Sequence, residues 1–161
     1  MGNGEFMGWD IEYQNNIGIM RVRAFGRMNL EQLRQMGSEA ILQAAEFDTY
    51  RSLIDLRQIV PELSMAEIAH LPEQLAAAGM RRVSKVALVS PADPLLEKSI
   101  RLFAALCVKL GYMMQVFLDP ALAVVWLSGI SLENHGQKSV LSPFGQIFDK
   151  MLSPAVWRSK K

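Results

Sequence analysis

The sequence predicts an α/β fold: a mixed sheet that opens with an antiparallel hairpin, continues through β-α repeats and is followed by a short C-terminal amphipathic helix. Three observations predict it. Two alternating segments, "WDIEY" (9–13) and "IMRVRAF" (19–25), are separated only by the turn-like "QNNIG". After this hairpin, helix-cap signals alternate with short apolar runs, the order expected of parallel strands joined by helical crossovers. Asp-Pro occurs at 93–94 and again at 119–120, each time placing a capping carboxylate before a proline at the first helical position.

The elements follow in order. In the second strand Met20, Val22 and Ala24 share one face and Arg21 and Arg23 the other, so one face is expected buried and the other wet. Asn29 with Gln32 has capping-box spacing, and Leu30, Leu33, Gly37, Ala40, Ile41 and Ala44 form the inward stripe of the first helix. "RSLIDL" (51–56) is the third strand, which places Asp55 and Arg57 at a solvated strand end. A second helix spans 64–78, where Pro72 predicts a kink or a division into two short helices. "KVALV" (85–89) is the fourth strand. The helix after Asp93 turns Leu95, Leu96, Ile100, Phe103, Ala104, Cys107 and Val108 inward and stops at Gly111. "MQVFL" (114–118) is the fifth strand, and "ALAVVWL" makes a short apolar helix ending at Gly129. The order is β-β-α-β-α-β-α-β-α.

Beyond Gly129 the chain becomes polar and turn-rich, a linker or surface loop. Phe144, Ile147, Phe148, Met151 and Leu152 then recur at helical spacing until Pro154. That segment could dock on its own domain, on a second copy to form a homodimer, or on a membrane surface, the last disfavoured by its few charges. Residues 1–6 ("MGNGEF") precede a second methionine and are read as a cloning remnant.

Composition narrows the function. A formal net charge of +1 indicates neither a nucleic-acid binder nor an acidic tail. Cys107 is the only cysteine, so no internal disulfide forms and a reducing compartment fits. No apolar run reaches the roughly 20 residues that span a bilayer, and no secretory signal is visible, so a cytoplasmic location is expected. Neither G-x-G-x-x-G nor a P-loop pattern occurs.

The order of elements, with "IGIMRVRAFGRMN", "LIDLR", "SMAEIAHLP", "KVALVSPADP" and "VFLDPALAVVWL", resembles the STAS domain of bacterial anti-sigma factor antagonists, and more closely the STAS/SEC14-like family called SpoIIAA-like. The resemblance covers about residues 9–128, dividing the chain into a STAS-like domain (7–128) and an appendage (129–161). It implies a non-enzymatic regulatory module that binds a protein partner, without a cofactor. In antagonists a strand ends in D-L-S, and nine residues after its Asp a serine opening a helix is phosphorylated by a partner kinase. Asp55 and Ser64 match that spacing, whereas Arg57 replaces the D-L-S serine and Leu63 replaces the aspartate before the phosphoacceptor. The SEC14-like side implies instead a carrier of a small apolar or lipid ligand.

Each candidate residue has a plain structural reading beside the functional one. Ser64 is the candidate phosphoacceptor, yet Ser64 and Glu67 also form a capping box, which explains the serine without phosphate. Asp55, Arg57, Glu62 and Glu67 form a candidate recognition edge, or a solvated strand end. Leu71, Leu75, Leu96 and Phe103 are the candidate lining of an apolar pocket, or simply core. His70 and His135 stand alone, so neither a metal site nor a nucleophilic triad is expected. Cys107 reads as a buried inert thiol, the Arg81-Arg82-Lys85 cluster as a solvated turn, and Trp126 as a core anchor.

Overall fold

The computed structural model describes residues 6–129. The appendage helix at 144–152, its self-association and His135 lie outside these residues.

Local chemistry starts each helix where the caps predict. The Asn29 side chain accepts a hydrogen bond from Gln32 N while Gln32 Oε1 accepts one from Asn29 N, each 2.9 Å long. This opens α1 (Leu30–Glu46). Ser64 and Glu67 repeat the device for α2 (Met65–Ala77). Asp93 and Asp119, each followed by proline, cap α3 (Pro94–Lys109) and α4 (Pro120–Ser128). α4 ends at Gly129, which takes the left-handed conformation that glycine adopts without steric cost.

Five strands make one sheet in the order β1-β2-β3-β4-β5. β1 (Gly8–Gln14) and β2 (Ile19–Asn29) pair antiparallel, with Trp9 opposite Ala24 and Tyr13 opposite Met20. β3 (Arg51–Glu62), β4 (Lys85–Val89) and β5 (Met113–Phe117) add in parallel. Sequential parallel strands joined by crossovers of one hand place the intervening helices on one face. Accordingly α1 packs on α2 and α2 on α3, while α4 lies over β3, β4 and β5 on the opposite face. The first face buries Met20, Val22, Leu56, Leu88, Ile100 and Met114, and the second buries Ile19, Leu53, Val89, Val124 and Leu127.

Several expectations are corrected. Arg21 and Arg23 are not on a wet face: their side chains are 5 % and 7 % exposed. The hairpin register sets Arg21 opposite Glu12 and Arg23 opposite Asp10, giving cross-strand ion pairs of 2.8 and 3.1 Å. They share the sheet face of Leu53, beside the ground that α4 covers. α2 runs as one helix through Pro72, which is fully buried, rather than as two short ones. On α3, Leu95 and Val108 point outward, 80 % and 51 % exposed, because each lies about 100° around the helix from an inward neighbour, Leu96 and Cys107. β3 continues six residues past Leu56. Ahead of β1, the exposed Phe6 lies beside Phe25 with ring centroids 5.4 Å apart. A Cβ built at Gly26 would overlap the Phe6 carbonyl, and Gly26 has φ +84°. Only glycine fits that approach without strain.

Candidate functional site

The site grows from an irregularity in β3. Arg23 of β2 faces Asp55, but Phe25 faces Gln58, so β3 carries one extra residue there. This is a β-bulge, which bends its strand and takes a backbone group out of the ladder. The Asp55 carboxylate sits at the slip and is 3 % exposed. It accepts hydrogen bonds from Arg57 N at 3.1 Å, Arg57 Nε at 2.9 Å and Arg57 Nη2 at 2.8 Å. The hydrogen bonds to Asp55 raise the Arg57 pKa above its ordinary value; partial burial opposes this, and the charges of Asp55 and Asp119 add to it. Asp55 and Arg57 are therefore not a solvated strand end. They are a clamp on the bulge, mid-strand, with Asp55 buried.

Past the bulge the alternation changes phase. Ile54 and Leu56 face the helical layer before it and Ile59 after it. β4 pairs with β3 only as far as Asp55, so residues 56–62 project beyond β4, held by β2 alone. Pro61 lies opposite Met28 of β2 in this stretch, where the other side of the strand is an open edge, the setting in which strands tolerate proline. Glu62 closes the extension with a 2.8 Å ion pair to Arg27, both side chains half exposed.

Two residues on, Ser64 Oγ accepts from Glu67 N at 3.1 Å, and Glu67 Oε1 accepts from Ser64 N at 2.9 Å. The hydroxyl is exposed but engaged, and Glu67 is the acid nearest to where a phosphate would sit. Of the four residues of the expected recognition edge, Glu62 is at the surface, Glu67 is committed to the cap, and Asp55 and Arg57 are committed to each other.

Under the extension a cleft opens between the sheet and α1, α2 and α3, with a volume of about 420 Å³. Leu71, Leu75, Leu96 and Phe103 all line it. The structure thus brings together four residues that the sequence places on two separate helices. Met36, Ile59, Val60 and Leu63 also line it and were not singled out from sequence. For Ile59 and Leu63, the signal was alternation resuming in the opposite phase after Arg57-Gln58. The rim is apolar and exposed: Val60 is 50 % and Leu95 80 % accessible.

A second hollow of about 310 Å³ shares Gly37, Ile54, Leu75, Leu88 and Phe103 with the first. It lies toward the other end of the strands, by Thr49, Ser52, Arg81 and Ser84. At the neck α1 comes so close to α2 that a Cβ built on Gly37 would overlap Leu75 Cδ2.

The remaining chemistry-bearing groups are occupied or isolated. His70 is exposed on α2. Cys107 is fully buried, and desolvation pushes its thiol up to about 12. Arg82 Nε donates to Leu110 O, closing the end of α3, with its guanidinium over Tyr112. Lys85 Nζ donates to Trp126 O and lies over the Trp126 ring, which packs on Phe117. The expected solvated turn is thus a set of structural contacts at these two residues. Among the described residues no group of three His, Cys, Asp or Glu side chains is placed to hold a metal ion, and no helix is long and apolar enough to cross a membrane.

No family model matches the sequence, and no curated protein matches it. Among solved structures, the chain is similar to an uncharacterised protein of the DUF3478 family with a SpoIIAA-like fold from Shewanella loihica PV-4. The identity is 22 %, over 76 % of this chain and 95 % of that one, with a TM-score of 0.51. It is also similar to the anti-sigma factor antagonist SpoIIAA in its unphosphorylated form, at 17 % identity over 76 % of this chain and 100 % of that one, with a TM-score of 0.42.

Proposed function

We propose that this chain, whose fold is SpoIIAA-like, is a non-enzymatic binding module of STAS-like type. Its working element is the apolar cleft beneath the β3 extension. The observation that supports this reading is the cleft itself. About 420 Å³ of space lined mostly by apolar side chains, leucine and isoleucine above all, is costly to leave beside water, and it opens through an exposed apolar rim.

The first occupant is a regulatory protein partner that seats an apolar side chain at Val60 and Leu95. In this module Ser64 serves as the α2 cap, and Glu62 lies on the polar border of the contact. The expectation tested is that Val60→Asp with Leu95→Asp keeps the thermal transition of the parent while losing a partner that the parent crosslinks in cells. Retention of the same crosslinked partner by the double variant would count against this reading. A second occupant, favoured by the depth of the cleft down to Ile54 and Leu88, is a small apolar ligand. Native mass spectrometry of the purified chain then shows a non-covalent adduct, and Leu96→Trp removes it. A bare mass that added apolar probes do not shift would count against the carrier reading.

A further inference from the structure

We propose that the two hollows form one channel for a single-chain amphiphile with an acidic head, the apolar chain lying in the larger hollow and the acid at Arg81. This rests on the carrier reading above and specifies its ligand.

The larger hollow has nothing to hold a charged head. Its one ionisable lining residue is Asp93, whose carboxylate already accepts from Leu95 N at 3.0 Å as the cap of α3. Ser99 Oγ donates to Leu95 O. A negative head there would meet a negative cap and no cation. The smaller hollow is different in kind. Its lining carries Ser52 and Ser84, with Arg81 beside them, and the buried Thr49, whose hydroxyl already donates to Gly18 O. Of the three cations in this cluster, Arg82 and Lys85 donate hydrogen bonds to backbone carbonyls. The Arg81 guanidinium instead lies 4.5 Å over the Tyr50 ring. Among the described residues no carboxylate pairs with it. Stacking on an aromatic face leaves the in-plane N–H groups of a guanidinium directed outward, where they match a carboxylate in two parallel hydrogen bonds.

The two hollows have the right relation for one ligand. They share the wall of Ile54, Leu75, Leu88 and Phe103, with Gly37 at the neck. Both touch β3, one at Ser52 and the other at Val60. Eight residues of extended strand separate those points, roughly 25 Å. A ligand lying along that line passes the point where α1 and α2 close on each other at Gly37 and Leu75, so it is narrow and unbranched. An acyl chain with a terminal carboxylate has that shape and that charge.

The test is calorimetric titration of the full chain with a saturated fatty acid, the alcohol of the same length and the alkylammonium of the same length, all below micelle formation. The acid is expected to bind about tenfold more tightly than the alcohol, the size of one charge-assisted contact. Arg81→Gln is expected to bring the acid down to the affinity of the alcohol. Leu96→Trp, which fills the larger hollow, is expected to abolish binding of both. Equal binding of acid and alcohol, or an acid preference that survives Arg81→Gln, overturns the acidic-head assignment and leaves the carrier reading standing. Tightest binding of the ammonium overturns it by placing the head at Asp93. Binding of none of the three overturns both.

Discussion

Replacing Asp55 with alanine should destabilise the fold by about 1.5–3 kcal/mol, and the structure shows where that comes from. The carboxylate is 3 % exposed and accepts three hydrogen bonds, all from Arg57. The Arg57 guanidinium is 36 % exposed, so in Asp55→Ala it regains water, and its two bonds contribute about 0.5–1 kcal/mol, as for a partly solvated ion pair. The Arg57 N–H cannot recover so easily. It sits at the bulge, where the ladder is interrupted, and losing its acceptor costs about 1–2 kcal/mol. Asp55→Asn keeps an oxygen for that N–H and gives up only the charge, so it should cost about 1 kcal/mol. Urea denaturation of the three proteins at neutral pH, followed by circular dichroism, measures the difference. A loss below about 0.5 kcal/mol for alanine, or equal losses for alanine and asparagine, would refute the view that Asp55 acts through the bulge N–H.

Other outcomes follow from single contacts. Ser64→Ala removes the acceptor of Glu67 N and is expected to cost about 1 kcal/mol, read as a fall of a few degrees in the melting temperature. Intact mass after incubation with kinases from the source cell should show Ser64 unmodified, because Glu67 crowds it with negative charge; a mass gain of one phosphate at Ser64 would sink the cap-only reading. Gly37→Ala forces Leu75 Cδ2 to move, and the adjoining cleft gives it somewhere to go. The helical gain of about 0.5–1 kcal/mol should therefore outweigh the contact, so the protein melts higher while ligand uptake through the neck falls. A lower melting temperature would show that Leu75 cannot yield. Cys107 is protonated in the fold to about pH 12 but ionises near 9 once unfolded. Above pH 9 the unfolded chain binds fewer protons, so stability falls by up to about 1.4 kcal/mol per pH unit. Cys107→Ala should flatten that slope, and an unchanged slope would assign it elsewhere.

What the sequence determined by itself is what depends on neighbours a few positions away. Asn29 with Gln32, Ser64 with Glu67, and the two Asp-Pro pairs start all four described helices, because a cap is a contact within three residues. The stripes of α2 and α3 likewise pointed Leu71, Leu75, Leu96 and Phe103 inward.

Tertiary structure decided the rest. The alternation of β3 breaks at Arg57-Gln58, where one inserted residue shifts the phase. Only the pairing of Phe25 with Gln58 shows that the strand continues. Arg21 and Arg23 look solvent-facing until Glu12 and Asp10 come across the hairpin to meet them. The cleft is the clearest case. Four side chains can each be known to point inward, and nothing in their spacing says whether they touch one another or enclose empty space. That depends on how three helices lie on one sheet, and on a glycine letting two of them approach.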